Sequence, residues 1–347
     1  MKKLICALLS LALGLSLAAC SNWSVEIKKP EDLSTGSAEE SESSPSEDCE
    51  STAPFEVKEV IISKDFLGET FLEKYGFDLE SIILAETNGE TIYFVAGGYP
   101  KDSGHHIYKD YMEMLFSINY DGTELSEPYI TKSAGTHRYS VVFDRNGEAF
   151  IIENNLSLLA GEDNGAPEYT ITKVGESEAK TIVSAKDIEG KSFDSVTKSW
   201  VDSYTFVDSV ANGDDGNWYI TMSGENAARV LVLGSDFNEI RREEDKKAGG
   251  LMRTPSGKLV CLDGESAALF DTDSLAPSDV RIALPEGTQM IFGGNSFYDL
   301  ICVTEAGAFG VSLETGETVL LTDLAEYPEL YMVRGVFVSD DGTVIII

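Results

Sequence analysis

Residues 139–154 read YSVVFDRNGEAFIIEN, residues 251–264 read LMRTPSGKLVCLDG and residues 336–347 read VFVSDDGTVIII. Each is a run of β-branched and aromatic residues, a polar break with glycine near its end, and a second such run. That pattern is the mark of a tight β-hairpin. Further copies centre on Asn88-Gly89 and on Asp214-Asp215-Gly216. Hairpins of a second kind alternate with them, LFSINYDGTEL at 115–125, VLVLGSDFNEI at 230–240 and AFGVSLETGETV at 308–319. From Phe55 onward no long helical period of apolar residues is present, so the expectation is an all-β domain.

Two alternating hairpins make a four-stranded antiparallel unit, and the unit recurs every forty to sixty residues. Units of that size bury little alone but pack face to face around an axis, as the blades of a β-propeller do. Five complete blades are expected near residues 79–131, 138–184, 205–243, 248–284 and 288–323. A sixth starts at Tyr331 and reaches Ile347 inside a strand, and Phe55 to Ile62 (FEVKEVII) is expected to supply its outer strand. Pairing strands from both ends of the chain in one blade removes an exposed edge. The third strand of that blade has no sequence to make it. The expectation is therefore either the front part of a longer product or a ring that closes imperfectly.

The start of the chain has a different character. Met1-Lys2-Lys3 precedes an apolar run from Leu4 to Ala19, which is too short to span a bilayer, and Cys20 follows directly. Leu17-Ala18-Ala19-Cys20 resembles the lipobox of bacterial lipoproteins. The resemblance implies cleavage after Ala19, diacylation of Cys20, and a lipid bilayer as the partner of that cysteine. Two acyl chains supply the double signal that stable anchoring needs. An ordinary signal peptide or a short membrane anchor is the alternative. Residues 34–54 hold seven Ser and six Asp or Glu and no large aliphatic side chain, so residues 20–54 read as a disordered tether. A flexible coil over 21–54 would hold the domain ~30–35 Å from the membrane. The expected organisation is thus a signal peptide at 1–19, a lipidated tether at 20–54 and the propeller at 55–347, on the extracytoplasmic face of the cell membrane.

The formal charge is −34, and loss of Lys2 and Lys3 with the signal leaves −36. Such an excess repels phosphate backbones and anionic headgroups, so no nucleic-acid partner is expected. Of five cysteines, Cys6 lies in the signal, Cys20 at the anchor and Cys49 in the tether. Cys261 and Cys302 hold matching places in neighbouring units, where side chains point the same way round a ring, so no disulfide between them is expected.

Ser296-Phe297-Tyr298-Asp299, Ala308 to Glu317 and Gly335 to Ile345 resemble the propeller part of large lipoproteins in which a propeller precedes an ABC-type extracellular solute-binding domain. The resemblance extends over lipobox, tether and repeats. It implies an accessory role beside solute capture. No solute-binding domain is present in this sequence, so no transport role passes to any residue here.

Chemistry-bearing motifs are sparse. There is no Gly-x-Ser-x-Gly, no His-Glu-x-x-His and no Cys-x-x-Cys. Gly190-Lys191-Ser192 looks like the end of a phosphate-binding loop, but Ala185 stands where its first glycine belongs, and a plain loop is expected. His105 and His106 are adjacent and would point apart on a strand, with no third ligand at fixed spacing. Asp214-Asp215-Gly216-Asn217-Trp218 resembles part of the Asp-box of sialidase-like propellers, a turn that stabilises the fold away from catalysis. No catalytic residue, metal or cofactor is expected.

Loop length carries the remaining information. In a propeller the connections between second and third strands share one face with the connections between blades. Three of these are long here, at 96–111, 154–167 and 185–204. They carry Tyr99, His105, His106, Tyr108, Trp200 and Tyr204, rings suited to stacking on a glycan, peptide or protein ligand. The expectation is a membrane-anchored recognition or scaffold module. The alternative is a propeller glycoside hydrolase or sialidase-like enzyme, which would need a carboxylate pair and an arginine group converging on that face.

Overall fold

The computed structural model describes residues 58–62, 64–101, 111–120, 122–133, 137–155, 168–194, 199–224, 228–324 and 334–347. They form six small sheets arranged as a β-propeller. Blade 1 orders Phe77–Thr87, Thr91–Pro100, Met112–Asn119 and Ile130–Ser133 from inside outward. Blade 2 follows with His137–Phe143, Ala149–Asn155, Tyr169–Lys173 and Lys180–Val183. Blade 4 is built from Gly250–Arg253, Leu259–Leu262, Ser266–Asp271 and Ala276–Ala283, and blade 5 from Met290–Gly293, Leu300–Val303, Gly307–Val311 and Thr318–Asp323. All pairings within these four sheets are antiparallel meanders, and the expected blade limits are met within a few residues.

Blade 3 departs from the pattern by carrying five strands, Glu189–Asp194, Ser199–Asn212, Trp218–Gly224, Ala228–Leu233 and Glu239–Glu244. The sixth sheet departs in the other direction, with only Val336–Val338, Thr343–Ile346 and Lys58–Ile61 among the described residues. Lys58–Ile61 joins the last blade as its outermost described strand, the place that the sequence suggested, but no strand among the described residues lies between it and Thr343–Ile346. It lies third, directly on Thr343–Ile346, and runs parallel to it with Lys58 opposite Thr343 and Ile61 opposite Ile346. The backbone of Ile62 extends the pairing by donating to the Ile346 carbonyl at 2.9 Å. Among the described residues the ring therefore holds five full blades and a three-stranded sixth sheet.

A helix absent from the sequence expectation follows at once, α1 at Lys64–Tyr75. Gly76, at φ 61°, ends it in the left-handed conformation that glycine tolerates and other residues resist. Leu67 and Phe71 are fully buried, and Phe71 meets Phe116 at 4.6 Å and Phe94 at 6.4 Å between ring centroids on blade 1. The helix thus packs its buried side chains on blade 1. Tyr75 fixes its far end by donating to the Ser126 carbonyl at 2.8 Å.

The core follows the blade interfaces. One continuous cluster joins Phe292 and Ile301 of blade 5, Phe337 and Ile345 of the sixth sheet, Phe71 of α1 and Phe94 of blade 1, so the ring is closed by apolar packing. Full burial of each such side chain is worth about 1.5–3 kcal/mol before ordering costs. Arg334 adds a polar tie by donating from Nε to the Ile82 carbonyl at 3.0 Å. Cys261 and Cys302 are buried free thiols at equivalent positions of blades 4 and 5, each pushed up to about 12 by burial, and they are not paired. No helix among the described residues is long and apolar enough to cross a membrane.

Candidate ligand-binding face

The two faces of the ring are built differently. On one lie the turns between first and second strands, and four of them repeat a single geometry. Gly147, Gly216, Gly257 and Gly342, at φ 77°, 83°, 88° and 89°, each donate to the carbonyl three residues back, on Asp144, Gly213, Thr254 and Ser339. This is why glycine ends each hairpin break in the sequence.

Each of these turns is tied to a neighbouring blade. The Asn88 side-chain amide donates to the Gly147 carbonyl at 3.0 Å, and the Arg145 backbone donates to Asn212 Oδ1 at 2.9 Å. Arg253 donates to the Asn212 carbonyl at 3.0 Å and to Asp214 Oδ1 at 2.7 Å. Lys258 and Ser256 both donate to Asp299 Oδ1, and the Ser296 backbone donates to Asp340 Oδ1 at 2.8 Å. Asp214-Asp215-Gly216 therefore serves the fold, as expected of an Asp-box-like turn. Asp215 accepts from Asn217 and from the Tyr219 hydroxyl at 2.7 Å.

The opposite face carries the irregular features. In blade 1 the inner strand slips register twice, between Leu79 and Ser81 and between Ile82 and Leu84. In blade 3 it slips once, between Val207 and Ser209. The two slips of blade 1 lie in the first eight residues of Phe77–Thr87, away from the Asn88-Gly89 turn, whereas that of blade 3 lies past the middle of Ser199–Asn212. Bulges re-aim side chains and gather near functional sites. Here they accompany two exposed apolar residues on inner strands, Ile83 at 40% and Phe206 at 42% exposure. The Tyr111 ring lies across Gly97, where a Cβ would fall 2.1 Å from its hydroxyl, and that hydroxyl bonds Ser81 Oγ at 3.0 Å. Burial raises the Tyr111 phenol, partly offset by the Ser81 bond, and burial also raises Glu113 beside it in the chain order of blade 1.

Between blades 2 and 3 the expected long loop at 185–204 is not a loop. A four-residue turn of helix, α2 at Ala185–Ile188, leads into an antiparallel ribbon of Glu189–Asp194 and Ser199–Tyr204. Local pairing overrides the polar composition: the register sets Phe193 opposite Trp200, Lys191 opposite Asp202 and Glu189 opposite Tyr204. Because the ribbon's first strand pairs with the edge of Ser199–Asn212 that faces away from Trp218–Gly224, it stands on the axis side of blade 3. Gly190-Lys191-Ser192 sits in this strand and not in a loop ahead of a helix, which removes its likeness to a phosphate-binding loop.

The sequence-derived candidates divide as follows. Tyr99 is on a strand that runs to Pro100, not in a loop; it is 8% exposed and meets Tyr111 edge-on at 5.1 Å between centroids. Trp200 and Tyr204 hold the ribbon positions just given. His105, His106 and Tyr108, together with most of 154–167, Cys20 and the rest of the tether, lie outside the described residues. Ile83, Tyr111 and Phe206 were not singled out in the sequence. Only Tyr111 had a signal, as the last residue of a predicted long loop. Among the described residues no three His, Cys, Asp or Glu side chains converge as a metal centre would require.

No family model and no curated protein matches the chain. Among solved structures it is similar to a puromycin hydrolase, at 11% identity and a TM-score of 0.37, covering 78% of this chain and 42% of that one. It is also similar to prolyl endopeptidases, at 12% identity and 0.34, over 71% of this chain and 42% of that one. An endo-arabinase from Bacteroides thetaiotaomicron matches at 12% identity and 0.32, over 61% of this chain and 78% of that one. The chain spans less than half the length of the first two.

Proposed function

We propose that the protein is a membrane-anchored extracytoplasmic recognition module, held by an acylated Cys20 and a tether, with the irregular face of blades 1 to 3 as its binding face. The observation that carries this is the contrast between faces. One is stitched by short turns and bonds between blades, which leaves little for a ligand to engage. On the other lie the strand ends Pro100 and Met112, and Asn155 and Tyr169, between which the sequence is long, together with the paired strands 189–194 and 199–204, the slips of blade 1 and the exposed Ile83 and Phe206. A rigid ring that presents long segments on one side is how scaffolds carry binding function.

Aromatic residues in these segments, Tyr108, Trp200 and Tyr204, together with Tyr111, suit a glycan or peptide with apolar faces and hydroxyl or amine donors. Carboxylates at Glu80, Glu113 and Asp208 favour donors over anions. The experiment is retention of the purified mature protein on glycan and peptide arrays, run beside chromogenic glycosides and peptides. Saturable retention without product release supports recognition. Product release at a rate that scales with protein concentration would replace this reading with that of a propeller hydrolase.

A further inference from the structure

The ribbon is attached to the ring through α2, and a convergent set of bonds holds that turn. Asp187 Oδ1 accepts from Arg242 Nη1 at 2.6 Å, while Oδ2 accepts from the Ser184 hydroxyl at 2.8 Å and the Ser184 backbone at 3.2 Å. The Asp187 carbonyl accepts from Arg229 Nη1 at 3.1 Å. Arg242 is itself oriented by Glu239, which takes its other two nitrogens at 3.0 and 2.7 Å. Ile188 is buried in the core between blades 2 and 3. Arg229 and Arg242 lie on the two outermost strands of blade 3, so α2 is fastened to the outer half of the sheet. The ribbon it feeds stands at the innermost edge.

This exceeds what a connection between blades requires. The connection from blade 3 to blade 4 is made by residues 245–249 with no helical turn and no ribbon. We propose that Asp187 is a positioning residue: through Arg242, Arg229 and Ser184 it locks the turn to blade 3 and so holds the 189–204 ribbon in one place on the axis side of the ring. The ribbon is then a preformed part of the binding face, and a ligand meets it without ordering it first. That functional half rests on the recognition reading; the positional half does not.

The test is amide hydrogen exchange on the full mature chain, read by mass spectrometry on peptides from the ribbon and from Trp218–Gly224 and Ala228–Leu233 of the same blade. D187N removes the charge that meets Arg242 but keeps the size. Exchange in 189–194 and 199–204 is expected to rise about tenfold, the factor that losing a charge-assisted bond carries, with the two blade strands unchanged. D187E, which keeps the carboxylate, is expected to restore most of the protection. R242K serves as the second variant if D187N does not fold, and it should show the same local loss. Unchanged ribbon exchange in D187N or R242K would overturn the proposal. So would loosening of the whole blade to the same extent, since Asp187 would then be a fold residue only. Because no ligand enters this measurement, its failure is separable from failure of the recognition reading.

Discussion

Asn212 and Arg145, sixty-seven residues apart, are joined by a bond of 2.9 Å from the Arg145 backbone to the Asn212 side-chain carbonyl, across the boundary of blades 2 and 3. Asn212 is 1% exposed, and its amide nitrogen also donates to the carbonyls of Gly216 and Asn217, so one side chain closes its own turn and holds its neighbour's. N212A strips three partners at a buried site. It is expected to cost about 2–3 kcal/mol in urea unfolding, with retention on arrays unaffected at temperatures where the fold persists. A loss under half a kcal/mol would mean that water replaces these bonds freely.

Glu86 and Asp187 have opposite pH signatures. Burial raises the Glu86 carboxyl to about 8, so its folded form holds a proton that the unfolded chain releases near pH 4.5. Its contribution to stability is therefore lost as pH rises through that window, and E86Q should raise the unfolding midpoint at pH 9 but not at pH 4. Part of the side chain still touches solvent, which holds the gain to roughly 2–3 kcal/mol. For Asp187, burial pushes the carboxyl up, but Arg242 and Ser184 outweigh it and leave it below the usual range. Its stabilisation is present above about pH 4 and is lost as pH falls through the depressed value. Midpoints measured from pH 3 to 9 for wild type, E86Q and D187N check both signs.

The hairpins were legible because each needed the same thing at the same place. Asp144 to Glu148 and Ser339 to Thr343 require glycine at positive φ, and the flanking β-branched runs have period two. The buried cysteines were legible for the same reason, as equivalent places in a repeat. What the pattern hid were the places where tertiary context decides. Among the described side chains of helix α1, Leu67 and Phe71 are the buried ones, too sparse a stripe to announce an amphipathic helix. Lys58–Ile61 reads as an outer strand, but nothing in its residues shows that it pairs directly with Thr343–Ile346 or that it runs parallel to it. Trp200 and Tyr204 were visible as aromatic residues, whereas their pairing with Phe193 and Glu189 depends on a register that short polar strands specify weakly.

The parallel closure can be tested directly. Val60 stands opposite Ile345 and Ile61 opposite Ile346 in a sheet that seals the ring. Proline in place of Val60 removes a backbone donor and should lower stability by about 3 kcal/mol or more. Cysteines placed at Lys58 and Thr343 should cross-link on mild oxidation, while cysteines at Lys58 and Ile346, the pairing of an antiparallel strand, should not.

Lipidation at Cys20 has a simple readout. Mass spectrometry of membrane-extracted protein is expected to find a diacylated N-terminal Cys20, and C20A should release the domain into the soluble fraction. An intact Met1 terminus on mature protein, or an unmodified Cys20, would remove the anchor from the account.

The recognition claim is tested most directly by array binding of wild type against the double variant W200A/Y108A. Stacking contacts of this kind are worth ~0.5–1.5 kcal/mol each, so the account predicts saturable retention that weakens by roughly five-fold or more. If every ligand retained by wild type is held as tightly by the double variant, the proposed face is not where this protein binds.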